Sequence, residues 1–129
     1  MARFVDLVVG ALLGAMATGV VVALADAPTM DPVKLSPQYY KVRLDNARVR
    51  VLEYHLKPGQ KEVMHSHPEG VVFSLADATI KNTFPDGSAT THRSVQGDVD
   101  WSEPLTHTGE NMVDTEAHFY RVELKNCLK

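Results

Sequence analysis

The sequence predicts an all-β domain, a small barrel or β-sandwich, preceded by one apolar N-terminal helix. Three observations point there. From Tyr39 onward no stretch keeps a helical apolar period for three turns, while short runs with β-branched and aromatic residues recur. The breaks between them carry turn chemistry: "DN" at 45–46, "PG" at 58–59, "PDG" at 85–87 and "QGD" at 96–98. Ahead of all this, "LVVGALLGAMATGVVVALA" (7–25) is an uncharged run of 19 small and aliphatic residues.

That run reads as a secretory signal or a membrane anchor. The small-residue "ALA" at 23–25 invites cleavage before Asp26, and the polar "DAPTMDPVKLSP" after it resembles the start of a mature chain. The thin n-region, with Asp6 opposing Arg3, and the length of the run speak for an anchor instead. Cleavage is the favoured expectation, and either outcome makes the globular part periplasmic, secreted or membrane-tethered outside the cytoplasm. Residues 1–25 are set apart as signal or anchor, 26–38 are expected to be a linker, and 39–127 one domain. Membrane contact is expected only through the N-terminal segment, if it is retained.

The elements follow in order. "YYKVRLD" (39–45) runs into the Asp45–Asn46 turn, and "ARVRVLEYHLK" (47–57) runs from there to Pro58–Gly59. "KEVMHSH" (61–67) ends at Pro68, and "GVVFSLA" (70–76) and "ATIKNTF" (78–84) lead to the Pro-Asp-Gly turn. "SATTHRSV" (88–95) stops at Gln96-Gly97-Asp98, and "DVDWS" (98–102), "THTGENM" (106–112) and "EAHFYRVELK" (116–125) complete the set. Eight or nine such strands close into a barrel or sandwich whose interior can hold a small site.

Composition narrows the function classes. The formal charge is −3 with Lys and Arg dispersed, so there is no basic stripe and nucleic acid is set aside as a partner. Cys127 is the single cysteine, which excludes an intramolecular disulfide and a Cys-rich zinc site.

The chemistry then falls to histidine. In a strand, residues i and i+2 share a face, so His65 and His67 project side by side, able to reach one metal ion. Taken alone, such a pair is more often a solvated strand edge. His107 in "THTGEN" is the natural third ligand, and three neutral imidazoles would leave a divalent transition metal coordinatively open.

"PGQKEVMHSHPEG" resembles the first motif of the cupin family, and "GDVDWSEPLTHTGEN" resembles the second. Gly59, His65, Ser66 and His67 match the first in identity and spacing; Gly97, Pro104, His107 and Asn111 match the second. The resemblance spans about residues 40–125. It implies a conical jelly-roll barrel, a double-stranded β-helix, with a metal at the closed end of a small pocket. Two departures stand out: the motif glutamate falls on Val71 or Val72, and the glycine expected before the second-motif histidine is replaced.

A three-histidine set without that glutamate implies a divalent transition metal held less tightly and more Lewis acidic. Iron(II) is favoured, with Ni, Zn or Mn as alternatives. Three-histidine cupins include thiol and β-diketone dioxygenases, so the resemblance implies an oxygenase acting on a small chelating substrate, or else a non-catalytic cupin that binds a small molecule or metal. A homodimer is compatible with either. Accessory candidates are Glu69, which continues the i, i+2 series, and Asn111, which could orient His107. Tyr54 is another, sharing a strand face with Leu52 and Leu56; Phe73 and Trp101 are candidate pocket walls. His55, His92 and His118 carry no motif context and read as surface histidines. No separate general acid or base is evident.

Overall fold

The computed structural model describes residues 30–125. The apolar run at 7–25 and Cys127 lie outside the described residues. Nine strands are present among those described: β1 Tyr40–Asp45, β2 Val49–Leu56, β3 His65–His67, β4 Gly70–Ser74, β5 Ala78–Thr83, β6 Ala89–Ser94, β7 Val99–Ser102, β8 Leu105–Asn111 and β9 Ala117–Leu124. They form two antiparallel sheets, one of order β1-β2-β9-β4-β7 and one of order β3-β8-β5-β6. Each expected strand is found, its ends within one or two residues of expectation except at β3.

That exception matters. The run at 61–67 was expected to be one strand, yet only His65–His67 belongs to the ladder, and Lys61 makes an isolated bridge to Glu110. Glu62 is buried and Val63 is 53% exposed, so the step from inward Glu62 to inward His65 is three residues. A pleated strand cannot make that step, because its side chains alternate with period two. The chain therefore bends at 62–64 and carries a carboxylate into the interior.

The stretch 26–38, read as a linker, is seated on the barrel from Met30 onward. Asp31 caps a four-residue helix, α1 (Pro32–Leu35), its side chain accepting the Val33 N–H at 3.1 Å. The Ser66 N–H on β3 donates to the Met30 carbonyl at 2.8 Å, and Arg50 on β2 donates to Asp31 at 3.1 Å.

The inward faces of β2 and β9 grade from apolar to charged. Leu56 pairs with Ala117, Tyr54 with Phe119, Leu52 with Arg121 and Arg50 with Glu123. With Tyr40, Ala78 and Ile80 the apolar members make the core. Leu52 and Leu56 are fully buried, each contributing about 1.5–3 kcal/mol. At the other end of this face the interior is polar. Gly70 opens β4 there because a Cβ would sit 2.1 Å from the Val122 carbonyl oxygen of β9. The two motif glycines Gly59 and Gly97 have φ of +73° and +96°, a turn backbone that side chains disfavour.

Candidate metal centre

β3 and β8 pair antiparallel with His65 directly opposite His107. His67, two residues along, shares the inward face, so three imidazoles meet with ring centroids 4.7–5.6 Å apart. One nitrogen from each lies within 4.8 Å of the others.

The back of each ring fixes what the front presents. His65 Nδ1 donates to the Val63 carbonyl at 2.8 Å, His67 Nδ1 to Glu123 Oε1 at 2.7 Å, and His107 Nδ1 to Asn82 Oδ1 at 2.8 Å. Each of these oxygens accepts, so each Nδ1 carries the proton and a neutral ring leaves a bare lone pair on Nε2. The rings are neutral: burial, then the neighbouring charges of Arg121 and the other histidines, holds His67 well below the ordinary imidazole value and His107 down at about 3. Burial likewise lowers His65.

Three Nε2 lone pairs therefore converge. His65 Nε2 and His67 Nε2 are 3.0 Å apart, and two nitrogens bound at right angles to one ion, each about 2.1 Å from it, are separated by about 3.0 Å. Buried His107 Nε2 has no hydrogen-bond partner among the described residues. A cation satisfies this arrangement, and imidazole donors suit a divalent transition ion.

A carboxylate stands beside the three. Glu62 Oε1 is 3.9 Å from His65 Nε2, buried and without a hydrogen-bond partner among the described residues. Tyr54 donates to Glu62 Oε2 at 3.1 Å. Burial raises the Glu62 pKa to about 7, although hydrogen bonds from Tyr40, Tyr54 and the Gly109 backbone pull the other way. A carboxylate absent at 71 and 72 thus stands near the site from position 62, outside the group of three histidine ligand atoms. The Tyr40 hydroxyl lies 3.2 Å from His65 Nε2.

Tyr40, Tyr54, Glu62, His67 and His107 line a cavity of about 140 Å³ with Val72, Ile80 and Phe119 on its apolar side and Arg121 on its charged side. Arg121 Nη2 donates to the Pro68 carbonyl and Ser102, while its buried Nε lacks a hydrogen-bond partner among the described residues. His92 also borders the cavity and is paired with Asp100 at 3.6 Å.

The accessory candidates divide. Tyr54 belongs to the site through Glu62. Asn111 does not orient His107; its amide donates to the Leu56 and Thr115 carbonyls, tying the end of β8 to β2. Asn82 holds His107 in its place. Glu69 stays in the turn after Pro68, offering its backbone carbonyl to Leu124. Phe73 is exposed on the outer face of β4. Trp101 is also exposed, donates to Glu103, and borders only an adjoining cavity that shares His107 and Arg121 with the first. Expectation overlooked Tyr40, Glu62, Asn82, Arg121 and Glu123. For the last two a signal existed, since β9 alternates Ala117, Phe119, Arg121, Glu123 on one face.

No family model matches the chain, and neither does any curated protein. Solved structures do. A cupin domain from Bordetella pertussis is 30% identical, with a TM-score of 0.62 over 67% of this chain and 91% of that one. A double-stranded β-helix protein from Klebsiella pneumoniae is 21% identical, with a TM-score of 0.54 over 70% and 78%. A cupin superfamily protein from Desulfitobacterium hafniense shares the fold at 11% identity and a TM-score of 0.51 over 67% and 76%. With its two motifs folded into this barrel, and nearly the whole Bordetella domain covered at 30% identity, the chain belongs to the cupin superfamily.

Proposed function

We propose that this cupin is a metal-dependent enzyme working outside the cytoplasm, an oxygenase that acts on a small chelating substrate with iron(II) as its ion. One observation carries the reading: beside the three converging Nε2 atoms a buried carboxylate, Glu62, enters the same cavity with its Oε1 lacking a hydrogen-bond partner among the described residues. A protein that only binds metal has no need of the second. A bound ion would supply Lewis acidity and, as iron, redox capacity toward oxygen.

The remaining steps belong to the side chains. The ionised form of Glu62, which a bound ion would favour, suits a general base. Its free Oε1 can take a proton from an acidic C–H or O–H of the substrate, while the Tyr54 hydroxyl steadies Oε2. The anion so formed is a better chelator, and Arg121 lies in the same wall to offset its charge. Tyr40, Phe119, Val72 and Ile80 keep water from the reacting atoms. The cavity is close in size to the ~150 Å³ void that accommodates benzene, so the reacting portion is one ring or a short diketone or hydroxy acid.

Glu62 also supports a second reading, metal-assisted proton transfer without oxygen. A polyketide cyclase from Streptomyces resistomycificus has this fold at 16% identity and a TM-score of 0.51, a likeness of fold alone. Oxygen uptake by iron-loaded protein against a panel of diketones, thiols and hydroxy acids separates the readings. Iron-dependent uptake with one substrate, lost in Glu62→Gln while iron stays bound, supports the oxygenase. Substrate consumption without uptake supports proton transfer, and metal without turnover supports a non-catalytic binder. For location, N-terminal sequencing should find a chain starting near Asp26 in a periplasmic or secreted fraction. An intact chain in the membrane fraction points to the anchor, and a purely cytosolic chain overturns both.

A further inference from the structure

The outer face of the five-stranded sheet carries a second convergence of ligand atoms. On β2, Leu52, Tyr54 and Leu56 point inward, so Glu53 and His55 point out. On β9, His118 lies directly across from His55. The two rings stack with centroids 4.0 Å apart. Both turn Nε2 toward one oxygen: His118 Nε2 is 2.9 Å and His55 Nε2 3.3 Å from Glu53 Oε1. All three ligand atoms lie within 4.8 Å of one another.

The surroundings hold this geometry from behind. His55 Nδ1 is 3.2 Å from Glu116 Oε1, and a proton there leaves a lone pair on Nε2 facing the Glu53 carboxylate. Arg43 Nε stands 3.5 Å from the other Glu53 oxygen, Oε2, which leaves Oε1 for the histidines. As neutral Nε2–H tautomers both imidazoles can donate to Oε1; a divalent ion that displaced those protons would find two imidazole nitrogens and one carboxylate oxygen facing it. The spacing suits an ion, since ligands about 2.1 Å from one centre lie about 3.0–3.4 Å apart at right-angled or tetrahedral positions.

We propose that Glu53, His55 and His118 form a second, surface metal site for a divalent transition ion of the zinc or copper class, separate from the interior three-histidine centre. Its donor set, two imidazoles and one carboxylate, leaves coordination positions open to water or to an outside ligand. A bound ion would also bridge β2 and β9.

The test is a copper(II) and zinc(II) titration of the full-length chain against a chromophoric competitor, in a Cys127→Ser background so that the thiol is not counted. Two equivalents are expected. His55→Asn with His118→Asn should lose one, and Glu53→Gln should weaken one by roughly tenfold or more, as removal of metal-site partners commonly does. His65→Ala with His67→Ala should lose the other equivalent and keep the surface one, so the two sites fail independently. Because a pair of interior substitutions can unfold the barrel, copper-induced broadening of the His55 and His118 imidazole resonances provides a second measurement on the unmutated site. The proposal is overturned if the His55/His118 variant binds as many equivalents, as tightly, as the parent, or if copper leaves those resonances sharp.

Discussion

Glu123 holds the His67 ring from behind and is itself held by Arg50, whose Nε donates to its other oxygen at 2.7 Å. Glu123→Gln should therefore keep the fold but lower metal affinity roughly 10–100-fold, the usual effect of losing such a partner; competition with a chromophoric chelator reads it. Glu62 gives a pH test. Its carboxyl ionises near 7 in the fold against 4.5 when exposed, so the stabilisation from its neutral form is complete below about pH 4.5 and is lost as pH rises through 7. In metal-stripped protein, Glu62→Gln should gain up to about 3 kcal/mol on the parent between pH 4.5 and 8, measured by denaturant unfolding. The three histidines, with lowered values, lose their contribution as pH falls below the ordinary 6.5. Both proteins share that loss, so the difference isolates Glu62, and a flat difference would refute the burial argument. The same residue shows where sequence reading stops. His65 and His67 follow a period of two and His107 follows a motif, so their convergence was legible. Glu62 is out of step with both histidines, and only the bend at 62–64 brings it inside.

At the scale of elements, the strands were legible because their turns announce themselves. Pro58–Gly59, Pro85-Asp86-Gly87 and Gln96-Gly97-Asp98 each end a ladder where expected. Inward and outward faces also followed: β2 and β9 alternate along their length. What sits behind the site was hidden, because Asn82 and His107 are 25 residues apart, and Glu123 and His67 56 apart. Those pairings depend on which strands neighbour each other, a property no single strand carries. The seat of α1 was hidden for the same reason, since Asp31 finds Arg50 only once β2 and β9 are paired. Strand proximity also sets the cost of changing Gly70. A methyl there meets the backbone of β9, which has no rotamer to yield. Gly70→Ala should cost more than about 2 kcal/mol, in the range of overpacked interiors. Equal denaturation midpoints for variant and parent would show that β4 can move off β9 freely.

For the whole molecule, metal and fold are linked through the sheet that carries the missing glutamate. An ion at 100 times its dissociation constant stabilises the folded state by about 2.7 kcal/mol, which in a domain of this size raises the melting temperature by roughly 10–20 °C. A chelator should reverse it. Val72 lines the cavity, whereas Val71 pairs with Trp101 and Val122 on the outer side of β4. Val72→Glu therefore restores the family carboxylate at the site, with Val71→Glu as its control. If three histidines hold a metal, Val72→Glu should tighten it and raise the metal-loaded melting temperature further, while activity falls because a position needed by substrate is filled. Val71→Glu should leave metal content unchanged. If the barrel holds no ion, the new carboxylate instead faces Arg121, its cross-strand neighbour on β9, and no metal is gained. Metal content and melting temperature measured on the same preparations decide between them. Absence of bound metal in both the parent and Val72→Glu would remove the metal centre, and with it the proposed chemistry, from this cupin.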